Sequence, residues 1–374
     1  MESIVRIGMD VHQESIRLAV ITDSGNGAGG GKIVLEDTVS STSESVRRTF
    51  KKLKKKFGTI ECCYEASTCG FVMQRLLNEM KIECSVVAPS MIPIIPGDRV
   101  KTDRRDARKL ATLFWNDQLT FVRIPTDEEE SVRSLVRCRE STMEDLKRTK
   151  LRFGCFLKSL GFVYRAGKYW TKSHMAWLRR IELEGCNQTV FEKHLRTLEF
   201  HAEELKALDE KIEEVGGSPE YKQMVERLCC LKGVRTLTAM VLIVEIGDFS
   251  RFPNARALMS YLGVTPSENS SGNSIHRGGI TKAGNKRVRR ILVQSAWNYR
   301  RTPRACQALE ARRKGQPAWV VSHCRKAQKR LNTRFRELDT RKNSCISVVA
   351  VARELAGFAW AIMQPEEVAL SPIK

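Results

Sequence analysis

The chain has 374 residues, of which 42% are hydrophobic, and a formal net charge of +21 at pH 7. This length predicts two or three modules rather than one domain. The most apolar stretch, 346–363, contains Arg353 and Glu354. It therefore lacks the roughly 18 uncharged residues of a membrane span. No secretory signal is recognisable, so we expect a cytoplasmic protein without a membrane partner. The 12 cysteines include no CxxC pair, which argues against zinc and favours buried thiols.

Strand and helix patterns alternate in the first third of the chain. The predicted strands are 3–10, 15–22, 32–38, 59–64 and 83–88, and the predicted helices are 43–57, 69–80 and 103–115. The first two strands form a hairpin. The glycine-rich loop 25–31 lacks the lysine of a phosphate-binding loop, so we interpret it as a connection. Three strands followed by alternating helices and strands indicate a ribonuclease-H-like α/β fold for residues 1–125.

The middle region, 126–220, has the pattern of two long helices. Thr126 and Glu129 form a capping box that begins the first helix, which continues towards Leu160. Apolar residues recur at three- and four-residue steps in the second, at Leu195, Leu198, Ala202, Leu205, Leu208, Ile212 and Val215. This seam predicts a coiled coil, either antiparallel or between subunits. Packing against the core of its own chain is the alternative. The run 216–219 predicts a linker.

The C-terminal region, 221–374, is predicted to be mainly helical. Residues 228–248 resemble a helix-hairpin-helix, whose glycine turn presents backbone N–H groups to a DNA phosphate. Here Lys232 and Arg235 replace the usual proline and second glycine, and the alternative is a turn that only places the next helix. Between Arg277 and Lys342 there are 20 Lys or Arg and three acids. Such dense positive charge indicates nucleic-acid binding rather than an ordinary solvated surface.

Four acids occur where a metal-dependent nuclease requires them. Asp10 and Glu65 each close an apolar strand-like run. Asp103 and Asp106 are three residues apart, which places them on one helix face. Carboxylates suit hard cations such as Mg²⁺, with Mn²⁺ as a second candidate. Two such ions stabilise the attacking and leaving oxygens of a phosphate. We interpret His12 as a structural residue.

A second group combines serines with cations. Ser270 and Ser271 precede Gly272, and a serine hydroxyl that attacks phosphorus would leave a covalent DNA–protein link. A plain turn is the alternative. Nearby basic side chains would stabilise transition-state charge or contact the backbone. The residues predicted to bind nucleic acid are Arg104, Arg105, Arg277, Lys282, Lys286, Arg287, Arg289 and Arg290.

These motifs together resemble the DEDD transposases of insertion-sequence family 110. The similar segments are Gly-Met-Asp-Val-His, Tyr-Glu-Ala-Ser, Lys-Thr-Asp-Arg-Arg-Asp-Ala, Gly-Val-Thr-Pro, Ser-Ser-Gly and Gly-Gly-Ile-Thr-Lys-Ala-Gly-Asn. They span nearly the whole chain in the order of that family, which is a RuvC-like domain, a coiled coil and a transposase domain.

The resemblance implies an RNA-guided recombinase that excises and inserts a mobile element. A structured noncoding bridge RNA would pair with target and donor double-stranded DNA. Asp10, Glu65, Asp103 and Asp106 would bind Mg²⁺, and Ser271, with Ser270 as the second candidate, would form a phosphoserine. The resemblance also implies a composite site in a homodimer that pairs into a tetramer on DNA, in the cytoplasm of a bacterium and on its nucleoid.

Two other functions agree with the same residues. A Holliday-junction endonuclease of the RuvC type would use the acids to activate water, with no covalent step. A nucleic-acid scaffold without catalysis would use only the basic surface.

Overall fold

The computed structural model describes residues 5–23, 30–93, 102–271, 274–304 and 306–367. The chain divides into two compact units, Met1–Pro125 and Thr126–Lys374. Most of the glycine-rich loop, 24–29, lies outside the described residues.

The first unit is built on a five-stranded mixed sheet. Its strands are β1 (Val5–Val11), β2 (Ser15–Asp23), β3 (Gly31–Ser40), β4 (Ile60–Glu65) and β5 (Glu83–Val87). Their order is β3-β2-β1-β4-β5. β1 pairs antiparallel with β2 and parallel with β4, β2 pairs antiparallel with β3, and β4 pairs parallel with β5. This is the ribonuclease-H-like arrangement that the sequence predicted.

Helices cover both faces of this sheet in the described part of the unit. They are α1 (Ser43–Phe57), α2 (Val72–Glu79) and α3 (Asp103–Trp115). The buried faces of α1 and α2 share a core cluster with Val5, Ile7 and Met9 of β1. The small residues Ala107 and Ala111 of α3 instead cluster with β2 residues. Because side chains alternate along a strand, the residues of β1 between those of the first core point towards α3.

Most predicted elements of this unit are confirmed, two of them with the predicted bounds. Both α1 and α3 begin and end where the sequence indicated. β3 is longer than predicted because it pairs with β2 from Gly31 to Ser40. α2 begins later than predicted, at Val72, because residues 67–70 form a turn in which the Gly70 N–H donates to the Ser67 carbonyl.

The second unit is mainly helical. Its elements are α4 (Asp127–Ser159), α5 (Lys172–Leu178), α6 (Gly185–Gly216), α7 (Pro219–Cys229), α8 (Thr236–Ile246), α9 (Ala255–Tyr261), β6 (Pro266–Glu268), β7 (Arg277–Ile280), α10 (Lys286–Ala296), α11 (Gln307–Arg313), α12 (Ala318–Asp339) and α13 (Ser344–Ile362). The start of α4 and the end of α6 share one core cluster with helices α7 to α10, α12 and α13. The predicted capping box at Thr126 and Glu129 is present.

The long helices α4 and α6 pack against each other in an antiparallel arrangement. Arg139, early in α4, forms an ion pair with Asp209, late in α6, while Phe153, late in α4, contacts Phe191. The seam residues Leu198, Leu205 and Ile212 of α6 are buried. The seam is therefore filled by α4 of the same chain, and its use between subunits stays a prediction.

The helix end predicted at 216–219 is confirmed, but the segment is a short turn and not an extended linker. α6 ends at Gly216 and α7 begins at Pro219. An added Cβ on Gly216 would lie 2.7 Å from the Thr236 side chain of α8. The segment is thus a tight turn between packed helices. Pro219 begins α7 because proline is favoured in the first helical turn.

The turn between α7 and α8 packs inward. Gly233 has a φ of +85°, and a Cβ there would lie 2.6 Å from the Ser295 carbonyl oxygen. The Lys232 ammonium donates to the Thr302 carbonyl at 3.0 Å. These contacts hold the turn against nearby segments of the same unit. Its role in phosphate binding stays a prediction.

Helix α13 has the length and composition of a membrane span, and it is the one helix of the described chain that does. Its Val351, Leu355 and Ile362 lie in the core cluster of the second unit. More than half of its most apolar window, 56%, is buried there. Packing within the unit accounts for its apolar composition.

Candidate metal centre

One face of β1 is matched residue by residue to α3. Arg6 donates to the Phe114 and Trp115 carbonyls at the end of α3. An added Cβ on Gly8 would lie 2.2 Å from the Ala111 nitrogen, so the strand and the helix are in direct backbone contact. Asp10, the next residue on this face, therefore lies at the beginning of α3, where Asp103 and Asp106 are located.

The beginning of α3 is suited to carboxylates. Thr102 caps the helix, its side chain accepting from the Arg105 N–H, and both Asp103 and Asp106 lie in the first turn. The N-terminal end of a helix carries partial positive charge, which stabilises anionic side chains there. Helix chemistry and sheet register together bring acids from distant parts of the sequence to one place.

Asp10, His12 and Asp103 form one group whose potential ligand atoms lie within 4.8 Å of one another. His12 Nε2 lies 3.1 Å from Asp10 Oδ2 and 3.8 Å from Asp103 Oδ1. The His12 N–H donates to the Ser15 carbonyl, so His12 begins the turn between β1 and β2. Sequence reasoning interpreted His12 as structural, and the only signal to the contrary was its position two residues after Asp10.

The charges at this group act on one another. Burial raises the pKa of Asp10, the neighbouring His12 opposes that rise, and the charges of Asp103 and Asp106 add to it, so the pKa lies above its ordinary value. An acid held among other acids is stabilised in its ionised form by a nearby cation. The Asp10 side chain is 19% exposed and that of Asp103 is 58% exposed, so the group opens to solvent on the helix side.

Glu65 approaches this group through the sheet. β4 pairs with β1 in parallel, with Tyr64 opposite Met9, so Glu65 and Asp10 follow at the same ends of adjacent strands. Within the described residues, however, the close group contains Asp10, His12 and Asp103 and does not include Glu65 or Asp106. The structure thus places all four predicted acids at one edge of the unit, with Glu65 exposed. Their roles as ligands stay predictions.

The arginines beside the acids have partners. Arg104 Nε donates to Glu36 Oε2 at 3.0 Å, and Arg108 also binds the Glu36 carboxylate. Those hydrogen bonds hold the pKa of Glu36 at about 2. Glu36, on β3, therefore anchors the helix that carries Asp103 and Asp106. Sequence reasoning missed it because nothing in the sequence pairs β3 with α3.

The serine segment lies in the second unit, at a hairpin. Ser271 is exposed, and its backbone exchanges two hydrogen bonds of 3.1 Å with Ser274. The Ser270 hydroxyl donates to Glu268 at 3.0 Å, and the ring of His276 lies 2.9 Å from the Ser274 hydroxyl. Gly272 of the predicted motif lies outside the described residues.

Most of the basic residues near this hairpin are engaged within the unit. Arg277 binds Glu268, Arg287 and Arg290 bind Glu140 of α4, and Arg289 donates to the Leu262 and Ala283 carbonyls. The side chains of Lys282 and Lys286, by contrast, have no protein partner in the described chain. Their role as nucleic-acid contacts stays a prediction.

The donor chemistry of the first unit fits a divalent cation. Two carboxylates and an imidazole nitrogen offer oxygen and nitrogen atoms close enough to share one ion. Two donors bound to one cation at roughly 2.1 Å and at right angles lie about 3 Å apart. The 3.1 Å separation between Asp10 and His12 agrees with that value.

Comparisons with known proteins cover both units. The family model described as "Transposase IS116/IS110/IS902 family" matches residues 225–310, and the DEDD transposase model of IS110 type matches residues 7–161. RuvC of Thermus thermophilus aligns with 32% of this chain and 99% of its own, at 13% identity and a TM-score of 0.24. The strand order β3-β2-β1-β4-β5 identifies the fold of the first unit.

Two relatives extend over nearly the entire chain. The putative transposase y4qE of Sinorhizobium fredii is 38% identical over 95% of this chain and 87% of its own length. The transposase for insertion sequence element IS1533 of Leptospira borgpetersenii is 34% identical over 92% of this chain and 100% of its own length. The protein belongs to the IS110 family of DEDD transposases and is an insertion-sequence transposase with a ribonuclease-H-like N-terminal fold.

Proposed function

We propose that this transposase excises and inserts its element by metal-dependent DNA strand cleavage and exchange through a phosphoserine intermediate, guided by a structured RNA. The observation that carries the proposal is the convergence of Asp10, Asp103 and Asp106 where β1 meets the start of α3. DEDD and RuvC-like nucleases use divalent metals, and the acids of this chain have the chemistry to hold them.

The acids have the first role in this proposal. Asp10, Glu65, Asp103 and Asp106 hold Mg²⁺ or Mn²⁺ and orient a DNA phosphate beside it. A bound divalent cation supplies charge stabilisation for phosphoryl transfer. Glu36 keeps α3 in place through Arg104 and Arg108, so the positions of Asp103 and Asp106 depend on an ion pair outside the cation group.

The serine has the second role. The Ser271 oxygen forms a bond to phosphorus while the phosphorus–oxygen bond to one DNA strand breaks. The serine proton is lost and the departing DNA oxygen gains a proton. The hydroxyl of the other DNA then displaces the serine and restores a phosphodiester. The exposed hairpin position of Ser271 supports this role, and Ser270, whose hydroxyl binds Glu268, is the second candidate. The acids and the serine come from different units, which agrees with a composite site between subunits of a dimer or tetramer.

Binding of nucleic acid would come from basic surfaces in both units. Arg48, Lys51, Lys52 and Lys55 of α1 are exposed, while Val46 and Phe50 anchor that helix in the core. α12 adds a further basic face. Positive surfaces bind phosphates without reading sequence, so the choice of target and donor would be left to base pairing with the guide RNA.

Trapping of a covalent adduct tests the proposal. Purified full-length protein is incubated with labelled element-end and target DNA, the copurified RNA and Mg²⁺, and the products are separated under denaturing conditions. We expect a DNA–protein adduct that is absent in Ser271→Ala and present in Ser267→Ala, a matched serine on β6. Asp10→Asn should remove both adduct and cleavage.

Other results would favour other functions. Hydrolysed DNA ends without any adduct would favour the Holliday-junction endonuclease. Unchanged activity in Asp10→Asn would leave only a nucleic-acid scaffold. An adduct that is lost in Ser270→Ala and retained in Ser271→Ala would identify Ser270 as the nucleophile. Sequencing the copurified nucleic acid tests the guide, since a discrete structured RNA is expected.

A further inference from the structure

We propose that His12 is a direct ligand of the divalent cation held by Asp10 and Asp103, and that its nitrogen raises the affinity of the centre for Mn²⁺ more than for Mg²⁺. This inference rests on the proposed metal-binding function of the acids and adds a ligand that is not among the four carboxylates.

The direction of the imidazole carries the proposal. A single atom, His12 Nε2, is the ring atom nearest to both carboxylates, at 3.1 Å from Asp10 and 3.8 Å from Asp103. One ring N–H is directional and serves a single acceptor well. A nitrogen placed between two carboxylate oxygens, with all three atoms within 4.8 Å, has the arrangement of a third donor to a shared ion.

The local backbone holds the ring in this position. His12 directly follows β1. Its backbone N–H donates to the Ser15 carbonyl at 2.9 Å, which closes the turn into β2. Ser41 on the neighbouring strand end donates to the Gln13 carbonyl and secures the same turn. The imidazole therefore projects from a fixed turn and not from a free loop, so little ordering is needed when an ion binds.

A purely structural role explains the exposure of His12 less well. The side chain is 52% exposed, whereas a core histidine is enclosed by its neighbours. His174 of the second unit is such a case, fully buried with its Nδ1 accepting from the Trp170 N–H. In His12 the Nε2 lies beside the acids while the side chain as a whole stays accessible to solvent, as in an accessible metal ligand.

The ligand type determines which ion is favoured. Mg²⁺ prefers oxygen ligands and retains its water. Imidazole nitrogen is a better ligand for first-row transition ions, and affinity for a given mixed site rises from Mn²⁺ towards copper. An Asp, His and Asp set therefore raises affinity for Mn²⁺ more than for Mg²⁺, relative to a set made only of carboxylates.

The test measures metal binding and not catalysis. Full-length protein, freed of metal and labelled with ¹⁵N-histidine, is titrated with Mn²⁺ or Mg²⁺ by calorimetry, and the Mn²⁺ complex is examined by pulsed electron paramagnetic resonance. We expect a hyperfine coupling between Mn²⁺ and a histidine nitrogen. His12→Ala should abolish the coupling and weaken Mn²⁺ binding by about tenfold or more, while the Mg²⁺ affinity changes less.

Two further variants separate the explanations. His12→Gln retains a hydrogen-bond donor near Asp10 but no imidazole, so it should resemble His12→Ala, and full Mn²⁺ affinity in that variant would show a positioning role and overturn the proposal. His201→Ala on α6 is the matched control and should keep the coupling.

The design also separates failure of this inference from failure of the proposed function. Tight Mn²⁺ binding without nitrogen coupling, lost in Asp10→Ala, would reject His12 as a ligand and leave the carboxylate centre intact. Mn²⁺ binding that neither Asp10→Ala nor His12→Ala alters would reject both, because no ion would then be held at this group.

Discussion

Gly8 of β1 and Ala111 of α3 touch through their backbones, since a Cβ added to Gly8 would lie 2.2 Å from the Ala111 nitrogen and 2.5 Å from the Ala107 carbonyl oxygen. This contact sets the distance between the strand that carries Asp10 and the helix that carries Asp103. The position of the candidate metal centre thus depends on the absence of a side chain two residues before Asp10.

The first prediction is that Gly8→Ala displaces α3. Neither clashing atom belongs to a flexible side chain, so the helix must move, and overpacking of this kind costs about 1–3 kcal/mol. We expect lower stability in urea denaturation and weaker divalent-cation binding by calorimetry. Gly154→Ala is the control, because nothing lies within 4 Å of its added Cβ on α4. There the helix should gain about 0.5–1 kcal/mol. Normal cation binding in Gly8→Ala would show that α3 does not fix the centre.

The second prediction concerns an ion pair in the second unit between an exposed arginine and a buried carboxylate. Arg137 of α4 donates to both carboxylate oxygens of Glu245 on α8, at 2.7 and 2.8 Å, and the Glu245 side chain is 1% exposed. Burial alone would raise the pKa of Glu245, but Arg137 and the Asn285 hydrogen bond outweigh it, so the pKa lies below its ordinary value. Arg137→Ala removes the closest cation from a buried carboxylate and should destabilise the unit by about 1–3 kcal/mol, less than the loss of a fully buried pair because the Arg137 side chain is 43% exposed.

Chemical denaturation checks this value, and hydrogen exchange in α8 locates the loss. Arg148→Ala, which removes an exposed pair with Asp145 on the same helix, should change stability by less than about 1 kcal/mol. Equal effects in the two variants would contradict the assigned burial. Because Asn285 caps α10 and also binds Glu245, we further expect Arg137→Ala to loosen the start of α10.

Much of this architecture was predictable because it depends on local patterns. The capping box at Thr126, the amphipathic α1 and the strand alternation each leave a signal within a few residues, and the order of elements then limits the topology. The acids followed from the same reasoning, since residues at strand ends and on one helix face converge in this fold.

The features that sequence reasoning missed depend on long-range contacts. Glu36 and Arg108 are 72 positions apart. In the sequence Gly8 has the pattern of an ordinary strand residue, and its contact with α3 is visible only in the structure. The 216–219 segment has the composition of a linker, yet Pro219 begins a helix there. His12 was undervalued because the direction of its ring depends on the turn at Ser15, which composition does not reveal.

The third prediction is a pH-dependent contribution from Glu36. Arg104 and Arg108 lower its pKa from an ordinary 4.5 to about 2, so its ionised form is favoured by folding. Its contribution is fully present above pH about 4.5 and is lost as the pH falls towards about 2. Glu36→Gln should therefore lower the melting temperature at pH 6, and the difference from the unsubstituted protein should shrink by pH 3.

The size of this effect should be modest, because both arginines are largely exposed and solvent screens each pair. Glu79→Gln is the control for loss of one acid. Glu79 lies on α2 and is the exposed partner of Arg47 on α1. If the difference in melting temperature between Glu36→Gln and the unsubstituted protein stays constant from pH 6 to pH 3, the Glu36 charge is not responsible.

The fourth prediction concerns the basic face of α1. Lys51, Lys52 and Lys55 are exposed and have no acidic partner within the described chain, whereas Arg47 binds Glu79 and Lys54 donates to the Met80 and Lys81 carbonyls. Each lysine that neutralises a duplex phosphate contributes about 0.9 to the slope of log affinity against log salt. Replacing all three by Gln should lower that slope by up to about 3, measured by fluorescence anisotropy with double-stranded nucleic acid from 50 to 300 mM salt.

Lys206→Gln with Lys211→Gln on α6, where acids already pair both lysines, should leave the slope unchanged. If the α1 variant keeps the full salt dependence, the phosphates bind elsewhere, and the exposed lysines Lys282 and Lys286 of the second unit become the next positions to replace.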